Sequence, residues 1–226
     1  VKSTATTLKP APKTVASPSA KSPAASTSRW TTGIQPTYDK PSFASKRQKA
    51  LQNADKVKLI QKSGKWSLVR TPDGKGWILS SKLVTNEARA KKLKTAPSKV
   101  TSKMTANTNN IIKRLKARYA PSISTVYGPR SGSIGHSSGL AADVMIKGYA
   151  KGSEIKAGDQ MARYLTDNHE ALGINYLIWR DQIWLSEDQQ WGPYSKGGWG
   201  KHLEKSRGWN PTTRHMDHIH VETFRK

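Results

Sequence analysis

The run GHSSGLAADV, from Gly135 to Val144, holds one histidine, His136, and one acid seven positions later, Asp143; the rest is small or apolar. Near the C-terminus a second run, HMDHIHVE, places His215, Asp217, His218 and His220 within six residues. Imidazoles and carboxylates bind a divalent ion such as zinc, and three protein ligands suffice where a fourth position is kept for water. The chain has no cysteine, which excludes thiolate sites and disulfides, so any metal must rest on His, Asp and Glu. It has only six histidines. The two runs are therefore read as halves of one metal site that meet in space.

Their spacing sets what must position them. His136 and Asp143 lie too far apart for one helix face and fit a loop leading into a strand, with Gly135, Gly139, Ala141 and Ala142 leaving room for close approach. His218 and His220 alternate, so on a strand they point to one side, with Asp217 where that strand begins. Glu222 shares their face and is a candidate to support a ligand. His215 either lies beside the metal or is merely a loop residue, the loop being preferred, and His169 and His202 are read as structural.

Residues 106–226 read as α+β. NTNNIIKRLKARY spaces Ile111, Ile112 and Leu115 as a helix with Thr108 as its cap, and GDQMARYLTDNHEALG predicts another, capped by Asp159 and stopped by Gly173. SISTVYG, AADVMI and HIHVE read as strands, and INYLIWRDQIWLS as two strands about a turn at Arg180–Asp181. The expected architecture is an antiparallel sheet with helices on one side. Trp191, Trp199 and Trp209 either line a groove for peptide or sugar or pack inside.

Upstream, residues 1–29 are Ala, Ser, Thr, Pro and Lys almost throughout and read as a disordered basic tail. Over 30–85, Val57 and Leu59, Trp66 and Leu68, and Trp77 and Leu79 recur with period two between the turn signals SGK and TPDGKG, which predicts a small all-β barrel with Trp66 and Trp77 in its core. Residues 86–105 read as a basic linker that opens on a short helix. The pattern GKW, TPDGKGWI and LV resembles bacterial SH3-like domains, which implies a wall-binding or targeting module.

The two histidine runs together resemble the LAS metallopeptidases, which include D-Ala-D-Ala carboxypeptidases, L-Ala-D-Glu endolysins and murein endopeptidases. Their pattern S-x-H-x-x-G-x-A-x-D stands here as Ile134, His136, Gly139, Ala141 and Asp143, with Ile134 the one departure; H-x-H, or an acid three before the last histidine, follows as Asp217, His218 and His220. The resemblance implies a Hedgehog-like or D-Ala-D-Ala peptidase-like fold, Zn2+ held by His136, Asp143 and His220, and a base at Asp217 or His218. Asp217 is taken as the proton acceptor and His218 as support for the oxyanion. Arg130 occupies the place of an arginine in related enzymes and is a candidate to hold a substrate carboxylate or the oxyanion, against a plain surface arginine.

The net charge of +24 favours polyanionic surroundings. Peptidoglycan and anionic cell-wall polymers fit both resemblances. A nucleic-acid binder is the weaker alternative, because no recognition motif accompanies the charge; a zinc-containing, non-catalytic Hedgehog-like module is another. No apolar run is long enough to span a membrane. The expected protein is a secreted, wall-associated monomer, trimmed ahead of Val1.

Overall fold

The computed structural model describes residues 27–92 and 100–225. The expected basic tail therefore lies outside the described residues up to position 26, as does the part of the linker at 93–99.

Strands β1 (Thr27–Thr31), β2 (Lys56–Ser63), β3 (Trp66–Thr71), β4 (Gly74–Leu79) and β5 (Leu83–Val84) form an antiparallel sheet in the order β4-β3-β2-β1-β5. Residues 27–29, assigned above to the tail, belong to its first strand. Leu51, Val57, Val69 and Ile78 make its core. Trp66 is buried as expected, on the opposite face and against Tyr38 and Phe43, 5.3 and 4.9 Å between ring centroids, whereas Trp77 and Leu79 on that face are only half-buried. Period two tells which residues share a face, not which face turns inward. Helix α1 (Glu87–Lys92) opens the linker as expected.

The second half continues with α2 (Ala106–Tyr119), β6 (Ile123–Tyr127), α3 (Ile134–Ser137), β7 (Ala141–Ile146), α4 (Gly152–Asp167), α5 (His169–Leu172), β8 (Ile174–Trp179), β9 (Gln182–Leu185), β10 (Gln190–Pro193), α6 (Lys201–Arg207) and β11 (His218–Thr223). Its six strands pair antiparallel in the order β10-β9-β8-β11-β7-β6, so the last strand enters the middle of the sheet. The molecule is mixed α+β with two antiparallel sheets.

Two expected helix caps move. Thr105, not Thr108, caps α2: its hydroxyl accepts from Thr108 N, while the buried Thr108 hydroxyl donates to the Leu140 carbonyl at 3.2 Å. Helix α4 begins at Gly152, so Asp159 sits mid-helix and accepts from Trp179 Nε1 at 2.8 Å. In both cases a polar side chain read as a local signal is used by a distant strand. Gly173 does end α5, with φ of 58°.

Alternation gives the larger sheet two faces. Val144, Leu177, Trp184, Ile219 and Val221 pack with Ile111, Leu115, Met161 and Leu165 of the helices. On the other face Ile178, Ile183 and Leu185 cluster with Tyr194 and Trp199, with Trp209 against them, and with Ala50 and Ile34 of the N-terminal half. Trp199 and Trp209 are therefore packing residues; Trp191 stays 41% exposed.

The two halves meet in a buried polar clamp. Arg47 Nε lies 3.2 Å from Asp188 Oδ2, which also accepts from the Tyr38 hydroxyl at 2.9 Å. Arg47 Nη2 donates to the carbonyls of Ile183 and Gln190, at 3.0 and 2.6 Å. Ala50 N donates to Gly197 O at 2.6 Å. Burial, then the Asp188 charge, pushes the Tyr38 phenol above its ordinary range, so it stays a donor. Removing one partner leaves the other charge buried and uncompensated. Asp188→Ala should therefore cost about 3–5 kcal/mol in chemical denaturation, and the wild-type sheets should unfold in one transition. Separate unfolding of the N-terminal sheet in the wild type would contradict this coupling.

Candidate metal centre

The site is built by register. Strand β11 pairs with β7 so that His220 faces Asp143 and His218 faces Met145, and β6 pairs with β7 so that Tyr127 faces Asp143. The chain leaving β6 then brings Gly128 and Arg130 to the same end of the sheet. His136 lies in the four-residue helix α3 rather than an open loop. Turn bonds close that helix: Ser137 N to Ser133 O at 2.8 Å and Leu140 N to Gly135 O at 2.8 Å. They reverse the chain into β7 and carry His136 over Asp143.

Three buried side chains converge. His136 Nε2 stands 3.3 Å and His220 Nδ1 2.8 Å from Asp143 Oδ1, and ligand atoms of the three residues lie within 4.8 Å of one another. His136 Nδ1–H donates to the Gly128 carbonyl at 2.9 Å, which turns Nε2 into the site. That atom is buried without a hydrogen-bond partner, as is His220 Nε2. A buried polar atom left unpaired is costly. A metal ion at the histidine–aspartate junction removes that cost for His136, and the donor set of two imidazoles and a carboxylate suits a divalent ion such as zinc. The residues present thus fit a metal.

Electrostatics agree with the geometry. Burial works to raise the Asp143 carboxyl, but the imidazoles of His136, His220 and His218 more than offset it and hold it well below the usual carboxylate range. Burial works to lower His220, yet Asp143 and then Glu222 outweigh it and push it up to about 9. Glu222 Oε2 lies 3.9 Å from His220 Nε2 and accepts from the Tyr176 hydroxyl at 2.8 Å. The Tyr176 ring stacks on His220, 5.4 Å between centroids. Gly135 permits this arrangement, since a Cβ there would overlap the Glu222 carboxylate.

Arg130 reaches the ligand carboxylate: Nη2 donates to Asp143 Oδ2 at 2.5 Å, and Nη1 lies 3.0 Å from His136 Nδ1. Its side chain is half-exposed at the mouth of the site. His218 Nδ1–H donates to Asp217 Oδ1 at 2.6 Å, which turns its Nε2 inward to 3.7 Å from Asp143 Oδ1. The other Asp217 oxygen accepts from the Thr212 hydroxyl at 2.6 Å. Burial raises Asp217, and these bonds from His218 and Thr212 outweigh it, so its carboxyl is lowered.

His215 lies in the turn ahead of β11, yet it packs beside the site, the alternative to a plain loop residue. It is buried, with its ring 4.6 Å from His218 and 4.9 Å from Tyr194. Burial, reinforced by His218 and His220, holds it well below its ordinary value, so it is a neutral imidazole beside the site. The turn between β8 and β9 fixes it: Arg180 N donates to His215 O at 2.8 Å, and Asp181 holds Arg214 and Ser195 through its carboxylate. Sequence reasoning missed Tyr176, Tyr194 and Thr212 as well. Parity marks Tyr176 as sharing a face with Ile178, but nothing local says that β8 lies beside β11. His169 and His202 are not part of the group.

Fold and site together define a mixed α+β protein with a buried His-Asp-His group able to hold a metal ion. A family model described as "VldE, C-terminal domain" matches residues 98–216, more than half of the chain, and the chain belongs to this family. The match includes Arg130, His136 and Asp143 and stops one residue short of Asp217. No curated protein matches the chain. No solved structure matches it either.

The purified wild type should carry one divalent ion per chain by elemental analysis, and His136→Ala should carry none, while His169→Ala keeps it. A free ion at 1,000 times its dissociation constant adds about 4 kcal/mol of stability, so chelation should lower the melting temperature of wild type but not of His136→Ala. Equal metal content in the two would remove the assignment.

Proposed function

We propose that the protein is a zinc-dependent peptidase that cleaves an amide bond in the stem peptide or cross-bridge of bacterial peptidoglycan, outside the cell. The observation that carries this reading is the pair Asp217–His218 set beside the metal-ligating group. A site that only held an ion would need His136, Asp143 and His220; it would not need a second imidazole oriented by its own carboxylate with Nε2 turned toward them. The likeness of the two histidine runs to the LAS metallopeptidases supports the substrate class, as does the charge of +24 against an anionic wall.

Zinc bound here supplies Lewis acidity, which polarises a carbonyl and makes water a nucleophile near neutral pH. The protein's own groups move the protons. His218 Nε2 is the ring atom turned toward the site, because Nδ1–H is committed to Asp217; it takes the proton of the attacking water and returns it to the leaving amine. Asp217 has both oxygens engaged and its carboxyl lowered, which suits it to orient His218 and stabilise the imidazolium rather than to accept the proton. This reverses the order of roles expected from the sequence. Arg130 holds Asp143 in place, and its half-exposed side chain is set to stabilise the developing oxyanion. The N-terminal sheet is proposed to be an SH3-like wall-binding module, fixed to the peptidase domain by the Arg47–Asp188 clamp.

Release of new amino groups from purified peptidoglycan tests the reading. His218→Ala should keep its metal and lose about 10²–10⁴ in rate. Asp217→Ala should keep its metal and lose roughly 10–100-fold. A larger loss in Asp217→Ala than in His218→Ala would return the base to Asp217. If metal-loaded wild type releases nothing from any peptidoglycan type, the peptidase reading fails and a non-catalytic, Hedgehog-like wall-binding module takes its place.

A further inference from the structure

The larger sheet carries a second cleft on the face turned away from the metal. Trp191 of β10 pairs with Trp184 of β9, whose side chain belongs to the helix-side core, whereas Ile178 and Tyr176 share the His220 face. Between that edge of the sheet and helix α4 lies a cleft of about 610 Å³. Its floor is Trp179. The ring lies flat against α4 because position 158 is glycine, where a Cβ would overlap the indole, and its Nε1 is tied to Asp159 at 2.8 Å.

The lining says what such a cleft could hold. Asp159 and Asp167 stand against Arg163 and Arg180, so the formal charges cancel in a chain whose net charge is +24. A site for a polyanion would keep the excess of positive charge that the rest of the molecule shows. A site for a cation would not include two guanidiniums. Among the described residues, no hydrogen bond or ion pair engages the side chains of Arg163, Asp167 or Gln182, so donors and acceptors of both kinds are left open toward the cleft. At its rim stands Trp191, 41% exposed and without a ring contact among the described residues. The buried Trp179, Trp184 and Trp199 and the packed Trp209 show what the other tryptophans of this half do; Trp191 alone presents its indole to solvent. An indole left open at the rim of a cleft offers a flat apolar face on which a ligand can stack, with polar groups beside it to bond the ligand's edge.

An uncharged ligand with one apolar face and a rim of hydroxyls matches these features. A pyranose has that shape: C–H bonds on one face stack on an indole, and each hydroxyl both donates and accepts. We propose that this cleft binds an uncharged saccharide, stacked on Trp191, with its hydroxyls held by Arg163, Asp167 and Gln182. The site is separate from the metal centre and does not depend on what that centre does.

The full chain should be titrated with the tetramers of β-1,4-linked N-acetylglucosamine and of β-1,4-linked glucose, with heat and tryptophan fluorescence as readouts. At least one tetramer should bind saturably, equally with and without metal. Trp191→Ala should weaken binding by about tenfold or more, and Trp191→Phe should keep most of it. Arg163→Ala should weaken it without moving the tryptophan spectrum of the free protein. His218→Ala should bind sugar as wild type does, which separates this proposal from the peptidase reading. If neither tetramer binds, or if Trp191→Ala binds as tightly as wild type, the proposal is overturned.

Discussion

A single buried carboxylate organises the candidate metal centre. Asp143 Oδ1 meets His136 Nε2 at 3.3 Å, His220 Nδ1 at 2.8 Å and His218 Nε2 at 3.7 Å, while Oδ2 is held by Arg130. A lone charge in that setting would pay a large desolvation cost. It is stable because Arg130, from the loop after β6, and His220 Nδ1, from β11, donate to it, and an ion held between it and His136 would be a further partner. The partners arrive through backbone register: β7 lies between β6 and β11, so the same residue faces Tyr127 on one side and His220 on the other. A slip of one residue in either pairing would turn Asp143 or the two histidines of β11 into the helix-side core. Fold and site are therefore one specification.

How much of this the sequence discloses depends on whether the physics is local. The alternation of HIHVE puts His218, His220 and Glu222 on one face without any knowledge of neighbours, and the structure has them so. The seven-residue reach from His136 to Asp143 needed only a reversal between them, which α3 and its turn bonds provide. The turn at Arg180–Asp181 has both residues at positive φ, 49° and 61°, as a tight hairpin requires. Signals that depend on a distant partner were misread. Thr108 and Asp159 look like caps because such residues usually serve their own helix; here Leu140 and Trp179 claim them. His215 sits in what reads as a loop, and its burial comes from Tyr194, more than 20 residues upstream. The clamp of Tyr38, Arg47 and Asp188 has no local signature at all, since its members are ordinary surface types until the two halves meet.

The two faces of the larger sheet solve different problems, and the difference explains why the N-terminal half is joined so firmly. Helices α2 and α4 cover most of one face with apolar contacts, up to the β10 edge where Trp191 stays exposed. The other face carries the buried cluster of His136, Asp143, His218 and His220 at one end. Its far end still presents Ile178, Ile183 and Leu185, which need cover. Tyr194, Trp199 and Trp209 supply part of that cover, and Ala50 and Ile34 from the N-terminal half supply the remainder. The polar clamp beside them sets the position of that cover: Arg47 ties the β9 and β10 carbonyls, and Ala50 N holds Gly197 in the segment that carries Tyr194. Tyr194 in turn packs edge-on against His215, and His215 against His218. An unbroken line of packed groups thus runs from the N-terminal sheet to the imidazole beside the metal-ligating group. Cover for the apolar end of the sheet and rigidity for His218 come from the same contacts, so the N-terminal half supports the site as well as having a small core of its own.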